Sequence, residues 1–193
     1  MDATHSMISF LEKAGKISPE IQASIACEFA ALNLGKNEFY LREGEVCKHL
    51  GFVSTGLLMY YKMDDHGTEI VTDFAQENSW VSHYQSFINR EPSAIFIKAL
   101  EPCTVYTISL DKLSALYTTI PGFEQFARQI IEATFMEMIN RQLAFQSLNA
   151  EGRYAKFIDL YPDLLQRVPQ YYIASFLNIA PPSLSRIRKN WSS

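Results

Sequence analysis

The chain has 193 residues, of which 48% are hydrophobic, and its 21 acidic and 17 basic side chains leave a net charge of −4. That length accommodates one medium domain and a small one, and that apolar share excludes a disordered chain. No apolar run reaches the roughly 18 residues of a membrane span, and the opening Met1-Asp-Ala-Thr-His-Ser lacks the basic and apolar stretches of a secretory signal.

Residues 1–35 read as helical. Ser18-Pro19-Glu20 is a helix start, with a capping serine before a proline at the first helical position. Ile21, Ile25 and Phe29 recur at helical spacing, and Gly35 ends the run.

From Glu38 to Ser109 the texture changes to short runs of β-branched and aromatic residues between turn signals. Strands are expected around Phe39–Leu41, Leu50–Val53, Leu57–Lys62, Glu69–Phe74, Ala94–Leu100 and Cys103–Ser109. Strands at this spacing suggest a small antiparallel barrel or jelly roll, with Asp65-His66-Gly67 as a hairpin tip.

A short helix follows over Ser109–Tyr117, and Pro121-Gly122 ends it. Phe123 to about Leu148 has no Gly or Pro, which predicts a helix roughly 40 Å long. Ile131, Phe135, Met138 and Phe145 form one apolar stripe; Phe126, Ile130, Ile139 and Leu143 lie on others. A helix apolar on several faces needs burial on two sides. One side can pack on the barrel, and a second copy of the chain is the favoured cover for the other.

A further helix is expected from Ala150 to just before Pro162, with the boundary between the two parts near 149–152. From Leu164 onward there are four basic residues, Arg167, Arg186, Arg188 and Lys189, and no acid; residues 1–163 carry −8. An acidic body with a basic tip can bind nucleic acid through the tip.

That tip reads as two short helices around a turn. Ile173, Ala174 and Leu177 have the spacing of a first helix's buried face, and Asn178-Ile179-Ala180 makes the turn. Leu184 and Ile187 would bury the second helix, leaving Ser183, Arg186 and Lys189 on another face. This pattern fits a helix-turn-helix and also an ordinary surface helical hairpin.

Little else carries chemistry. Cys27, Cys47 and Cys103 are few and scattered, as for reduced thiols in a cytoplasm. Cys47 and His49 are two ligands and do not make a zinc site. No Gly-x-Ser-x-Gly motif or phosphate loop appears, so no enzyme and no bound metal are expected.

Several features together resemble the Crp/Fnr family of bacterial transcription regulators. They are Gly44, Gly56 and Gly67; the run Gly56-Leu-Leu-Met-Tyr-Tyr61; the long helix after Pro121-Gly122; and the segment from Ala150 through Arg153-Tyr154, Val168-Pro169-Gln170 and Ile173-Ala174-Ser175 to Leu184-Ser185-Arg186. The resemblance implies an α+β chain: an antiparallel β-roll (a cyclic-nucleotide-binding-like double-stranded β-helix or jelly roll) with flanking helices, a long dimerisation helix and a C-terminal helix-turn-helix. The expected division is 1–120 for the N-terminal helices and roll, 121–149 for the dimer helix and 150–193 for the DNA-binding part. The implied partners are double-stranded DNA, a second copy of the chain, RNA polymerase and an unidentified small-molecule effector, in the cytoplasm and away from membranes.

Two departures narrow what carries over. Cyclic-nucleotide binders of this family hold the ribose with a Gly-Glu pair and the cyclic phosphate with an Arg-Ser-Ala run. Here the corresponding positions read Ser82-His83 and Pro92-Ser93-Ala94. Losing the arginine removes a charge-assisted bidentate contact. Arg90 could replace it only if the loop shifts. Pocket candidates are therefore Ser82, His83, Arg90, Ser93 and Ala94, and no cofactor is expected: cyclic AMP or cyclic GMP follows from the resemblance alone, and tight binding of either is not expected. At the other end, Pro181 and Pro182 cannot hydrogen-bond to bases, which leaves Ser183, Ser185, Arg186, Arg188 and Lys189 as DNA contacts. The chain stops at Ser193, so no β-wing is expected after the second helix. The alternative function is a sensory or interaction module that does not bind DNA and uses the roll for another small ligand.

Overall fold

The computed structural model describes residues 18–191 together with Met7 and Ser9. Helix α1 is Pro19–Cys27, with Ser18 at the N-cap position and Pro19 in the first turn. It stops well short of Gly35, because Ala30–Leu34 is strand β1. Ala-Ala-Leu favours a helix locally, but this segment pairs antiparallel with Cys103–Ser109 from Ala30↔Thr107 to Leu34↔Cys103. Tertiary pairing outweighs intrinsic propensity there. The expected helical residues before Ser18, apart from Met7 and Ser9, lie outside the described residues.

The other strands are β2 (Phe39–Leu41), β3 (His49–Thr55), β4 (Leu58–Met63), β5 (Glu69–Ala75), β6 (Trp80–Val81), β7 (Phe96–Ala99) and β8 (Cys103–Ser109). They form two antiparallel four-stranded sheets, ordered β1-β8-β3-β6 and β2-β7-β4-β5. Strand β7 shows why they face each other: Ile97 and Ala99 are buried while Phe96 and Lys98 between them are partly exposed. Phe52, Val53, Leu58, Ile97, Val105 and Ile108 meet in the core between the sheets. Gly56 permits the tight turn into β4. Its φ is +94°, and a Cβ there would lie 2.5 Å from the Pro102 carbonyl oxygen. At the β4–β5 tip, Gly67 takes φ +78°. Asp64 stabilises that tip by accepting from the amides of His66 and Thr68.

Helix α2 (Tyr84–Asn89) lies between β6 and β7. Helix α3 (Leu110–Thr119) is capped by Ser109, whose side chain accepts from Lys112 N. Helix α4 (Phe123–Ser147) is the long helix. Then come α5 (Ala150–Leu160), α6 (Leu164–Arg167), α7 (Gln170–Phe176) and α8 (Pro181–Trp191).

The chain divides into two compact units: residues up to Lys62 with Asp73–Ile131, and Met63–Thr72 with Glu132–Ser193. The first holds the roll core, α3 and the opening turns of α4, where Phe123 and Phe126 are buried. The second holds α5–α8 and the hairpin tip. No described helix is long and apolar enough to cross a membrane.

Candidate functional site

Helices α7 and α8 are built around one apolar seam. Ile173, Ala174 and Leu177 from the first and Leu184 and Ile187 from the second are all buried, as their spacing predicts. Tyr154, Phe157, Leu164 and Val168 complete this small core. The turn between the helices is left-handed at Asn178, with φ +51°. Asparagine tolerates that region better than most non-glycine residues.

Arg153 on α5 secures the turn. Its guanidinium donates to the carbonyls of Leu177 at 2.8 Å, Asn178 at 3.2 Å and Leu148 at 2.9 Å. One cation thus satisfies carbonyls at the ends of both α4 and α7, where a helix leaves its last C=O groups without intrahelical partners. Only the family resemblance picks Arg153 out of the sequence; its acceptors, Leu177 and Asn178, lie 24 and 25 residues away. The hairpin tip also braces α7. The Tyr172 hydroxyl donates to Glu69 at 2.6 Å, and Val71 N donates to Ser175 Oγ at 3.0 Å. Burial, then the bond to Glu69, pushes the Tyr172 phenol up from its ordinary value.

On α8, Ser185, Arg186 and Lys189 are exposed, whereas Ser183 and Arg188 are half-buried on the flanks of the helix. At about 100° per residue, Leu184 and Ile187 define the inward direction. The opposite direction is shared by Pro182, Ser185, Arg186 and Lys189, and no acid lies anywhere on the helix. Trp191 closes the far end, edge-on to Tyr154 with ring centroids 6.0 Å apart.

The second candidate region is the 82–95 corner of the roll. His83 Nδ1 lies 2.9 Å from Ser93 Oγ, and Ser93 Oγ donates to the Ile95 carbonyl at 2.8 Å. Ser82 Oγ donates to the His49 carbonyl at 3.3 Å and lies 3.4 Å from Cys47 Sγ, and Ser82 N donates to the Tyr60 hydroxyl at 3.2 Å. The loop is fastened at the backbone too, by Ser93 N to Glu45 O and Gly44 N to Ser93 O, each 2.8 Å. Burial lowers the His83 imidazole below its ordinary value, which favours the neutral ring. Ser82, His83 and Ser93 therefore come together, while Ala94 is exposed beside them.

Arg90 is separate from this network. It ends α2 in the left-handed region at φ +58°, and its guanidinium pairs with Asp111 at 2.6 Å. Both side chains of that pair are mostly exposed. Cys47 lies outside β3, and its thiol donates to the His49 carbonyl. Among the described residues, no group of three His, Cys, Asp or Glu side chains could hold a metal ion.

The third region is the middle of α4. Ile131, Phe135 and Met138 are exposed, as are Met136 and Leu143, with Phe135 at 54% and Leu143 at 58%. Phe145 differs from the rest of its predicted stripe. It is partly buried and packs edge-on against Phe176 with centroids 5.5 Å apart.

Residues 31–119 match the family model described as the cyclic nucleotide-binding domain. No curated protein matches the chain in sequence. Similar solved structures include FixK2 from Bradyrhizobium japonicum, with a TM-score of 0.70 and 16% identity over 84% of this chain and 83% of that one. CLP from Xanthomonas campestris, described as a c-di-GMP-responsive global regulator, has a TM-score of 0.68 and 14% identity over 91% of this chain and 92% of that one. The catabolite activator protein of Thermus thermophilus has a TM-score of 0.57 and 13% identity over 92% of this chain and 84% of that one.

Proposed function

We propose that this chain, which has the fold of the Crp/Fnr regulators with a cyclic nucleotide-binding domain at residues 31–119, is a transcription regulator that binds double-stranded DNA as a homodimer. The observation that carries this reading is the outward face of α8, where Ser185, Arg186 and Lys189 are exposed on a helix without acids. A recognition helix needs such a face to enter the major groove. Arg186 is positioned near its middle and suits guanine edges and phosphates alike.

The homodimer reading draws on α4. Ile131, Phe135, Met136, Met138 and Leu143 leave an apolar surface exposed over about three and a half turns. A second copy of the same helix is self-complementary to it and would bury it in an isologous seam. The working division is 1–120 for the sensor, 121–149 for the dimer helix and 150–193 for DNA binding, with Phe145 assigned to the DNA-binding part's core.

In the sensor, the cyclic phosphate contact is lost. Pro92 has no charge to offer, Arg90 is engaged by Asp111, and His83 is bonded to Ser93. With Pro92 where the family's arginine stands, the roll responds to a different small ligand or to none. The protein is cytoplasmic, is not an enzyme and engages RNA polymerase as regulators of this fold do.

The test is retention of promoter DNA in a low-salt gel shift and genomic footprinting, wild type against Arg186→Ala. Losing an arginine contact costs about 1–3 kcal/mol in each half-site, so a dimer, which loses two, should bind at least about thirtyfold more weakly. Equal retention by the variant, with the dimer intact, would leave the alternative: a sensory or interaction module that does not bind DNA.

A further inference from the structure

The outward face of α8 contains a residue that cannot form hydrogen bonds to DNA. Pro182 is exposed and points the same way as Ser185, Arg186 and Lys189, at positions i, i+3, i+4 and i+7. It stands in the first turn, where a recognition helix presents its residues to base edges. Neither it nor Pro181 has an amide hydrogen, so the start of this helix lacks two of the donors by which helix N-termini hold phosphate. The helix is fully formed there all the same: Ser183 N and Leu184 N both donate to the Ala180 carbonyl, at 2.9 and 3.0 Å.

A rigid apolar ring at that place discriminates among base pairs by exclusion. Over a G·C pair it would cover polar edges without offering a partner, and an unmet donor or acceptor is costly. The one apolar group in the major groove is the thymine 5-methyl. The ring loses almost no side-chain entropy on contact.

We infer that Pro182 is a specificity residue that reads a thymine methyl group in each half-site, next to the base or phosphate met by Arg186. This rests on the DNA-binding reading above and adds the kind of base selected.

The test starts with operators selected by the full-length protein from a random duplex library. Affinity is then measured with each thymine replaced in turn by deoxyuridine, which removes only the methyl group. In the wild type, replacing one particular thymine of a half-site should weaken binding about fourfold, the equivalent of one buried methyl. In Pro182→Ser, the same replacement should change binding by less than about 1.5-fold, since the ring that senses the methyl is gone. The wild-type series stands even if the variant binds poorly, and far-ultraviolet circular dichroism checks that the variant keeps its helices. Wild-type binding insensitive to every deoxyuridine would overturn the inference, as would a sensitivity that persists in Pro182→Ser. Recovery of no operator, with no salt-sensitive DNA retention, would instead remove the DNA-binding reading and this inference with it.

Discussion

The 82–95 corner of the roll and the outward face of α8 treat polar side chains in opposite ways. At the corner, Ser82, His83 and Ser93 are hydrogen-bonded within the roll at 2.8–3.4 Å. On α8, Ser185, Arg186 and Lys189 are exposed, while Leu184 and Ile187 are buried. A polar group already satisfied within the fold gains little from a ligand, because it must give up one bond to make another. Arg186, exposed on α8, keeps its charge accessible to a polyanion. On the proposed reading, the contrast explains how a chain can keep the roll's architecture while the exposed face of α8 carries the chemistry for a polyanion.

Three perturbations sharpen that contrast, from the largest effect to the smallest. Phe135→Glu places a charge at the centre of the exposed α4 surface. Two copies would then meet like charge to like charge, and sedimentation should show a species of 22.1 kDa in place of one twice that mass. An unchanged mass would mean that another surface joins the protomers.

Leu184→Ala acts inside the second unit, where Leu184 is 1% exposed. The lost packing should cost about 2–5 kcal/mol. Thermal unfolding should then show the α5–α8 unit melting early, with the Phe52–Val105 core of the roll unaffected. A uniform shift of a single transition would mean that the two units unfold together.

The smallest effect is expected from cyclic AMP or cyclic GMP added to the wild type. Calorimetry should register no saturable heat at micromolar ligand, if Pro92, standing where the family's arginine does, leaves the phosphate without its charge-assisted contact. Micromolar binding of either nucleotide would show that the corner opens and that Arg90 leaves Asp111.

Much of the second unit was legible in the residues. The apolar spacing Ile173, Ala174, Leu177, Leu184, Ile187 is local, and all five are buried as that spacing requires. The run from Phe123 without Gly or Pro likewise foretold a helix that ends at Ser147. What could not be read depended on partners far along the chain. Ala30–Leu34 becomes a strand only because Cys103–Ser109 lies beside it. Phe145 fits the α4 stripe by spacing, but Phe176, 31 positions later, turns it to another use. Arg90 was near enough to the corner in sequence to be its replacement cation, and Asp111, 21 positions later, holds it elsewhere. Ser183 and Arg188 belong to α8 but lie at the edge of its outward face, a distinction that needs the inward direction of Leu184 and Ile187 to be known first.

The central claim is that α8 grips DNA through exposed cations, and the salt dependence of binding tests it most directly. With Arg186 and Lys189 presented twice in a dimer, the logarithm of the association constant should fall linearly with the logarithm of salt concentration, by about 0.9 for each phosphate contacted. A slope of roughly −3 or steeper is the expected result. An affinity that stays level between about 50 and 200 mM salt would contradict it.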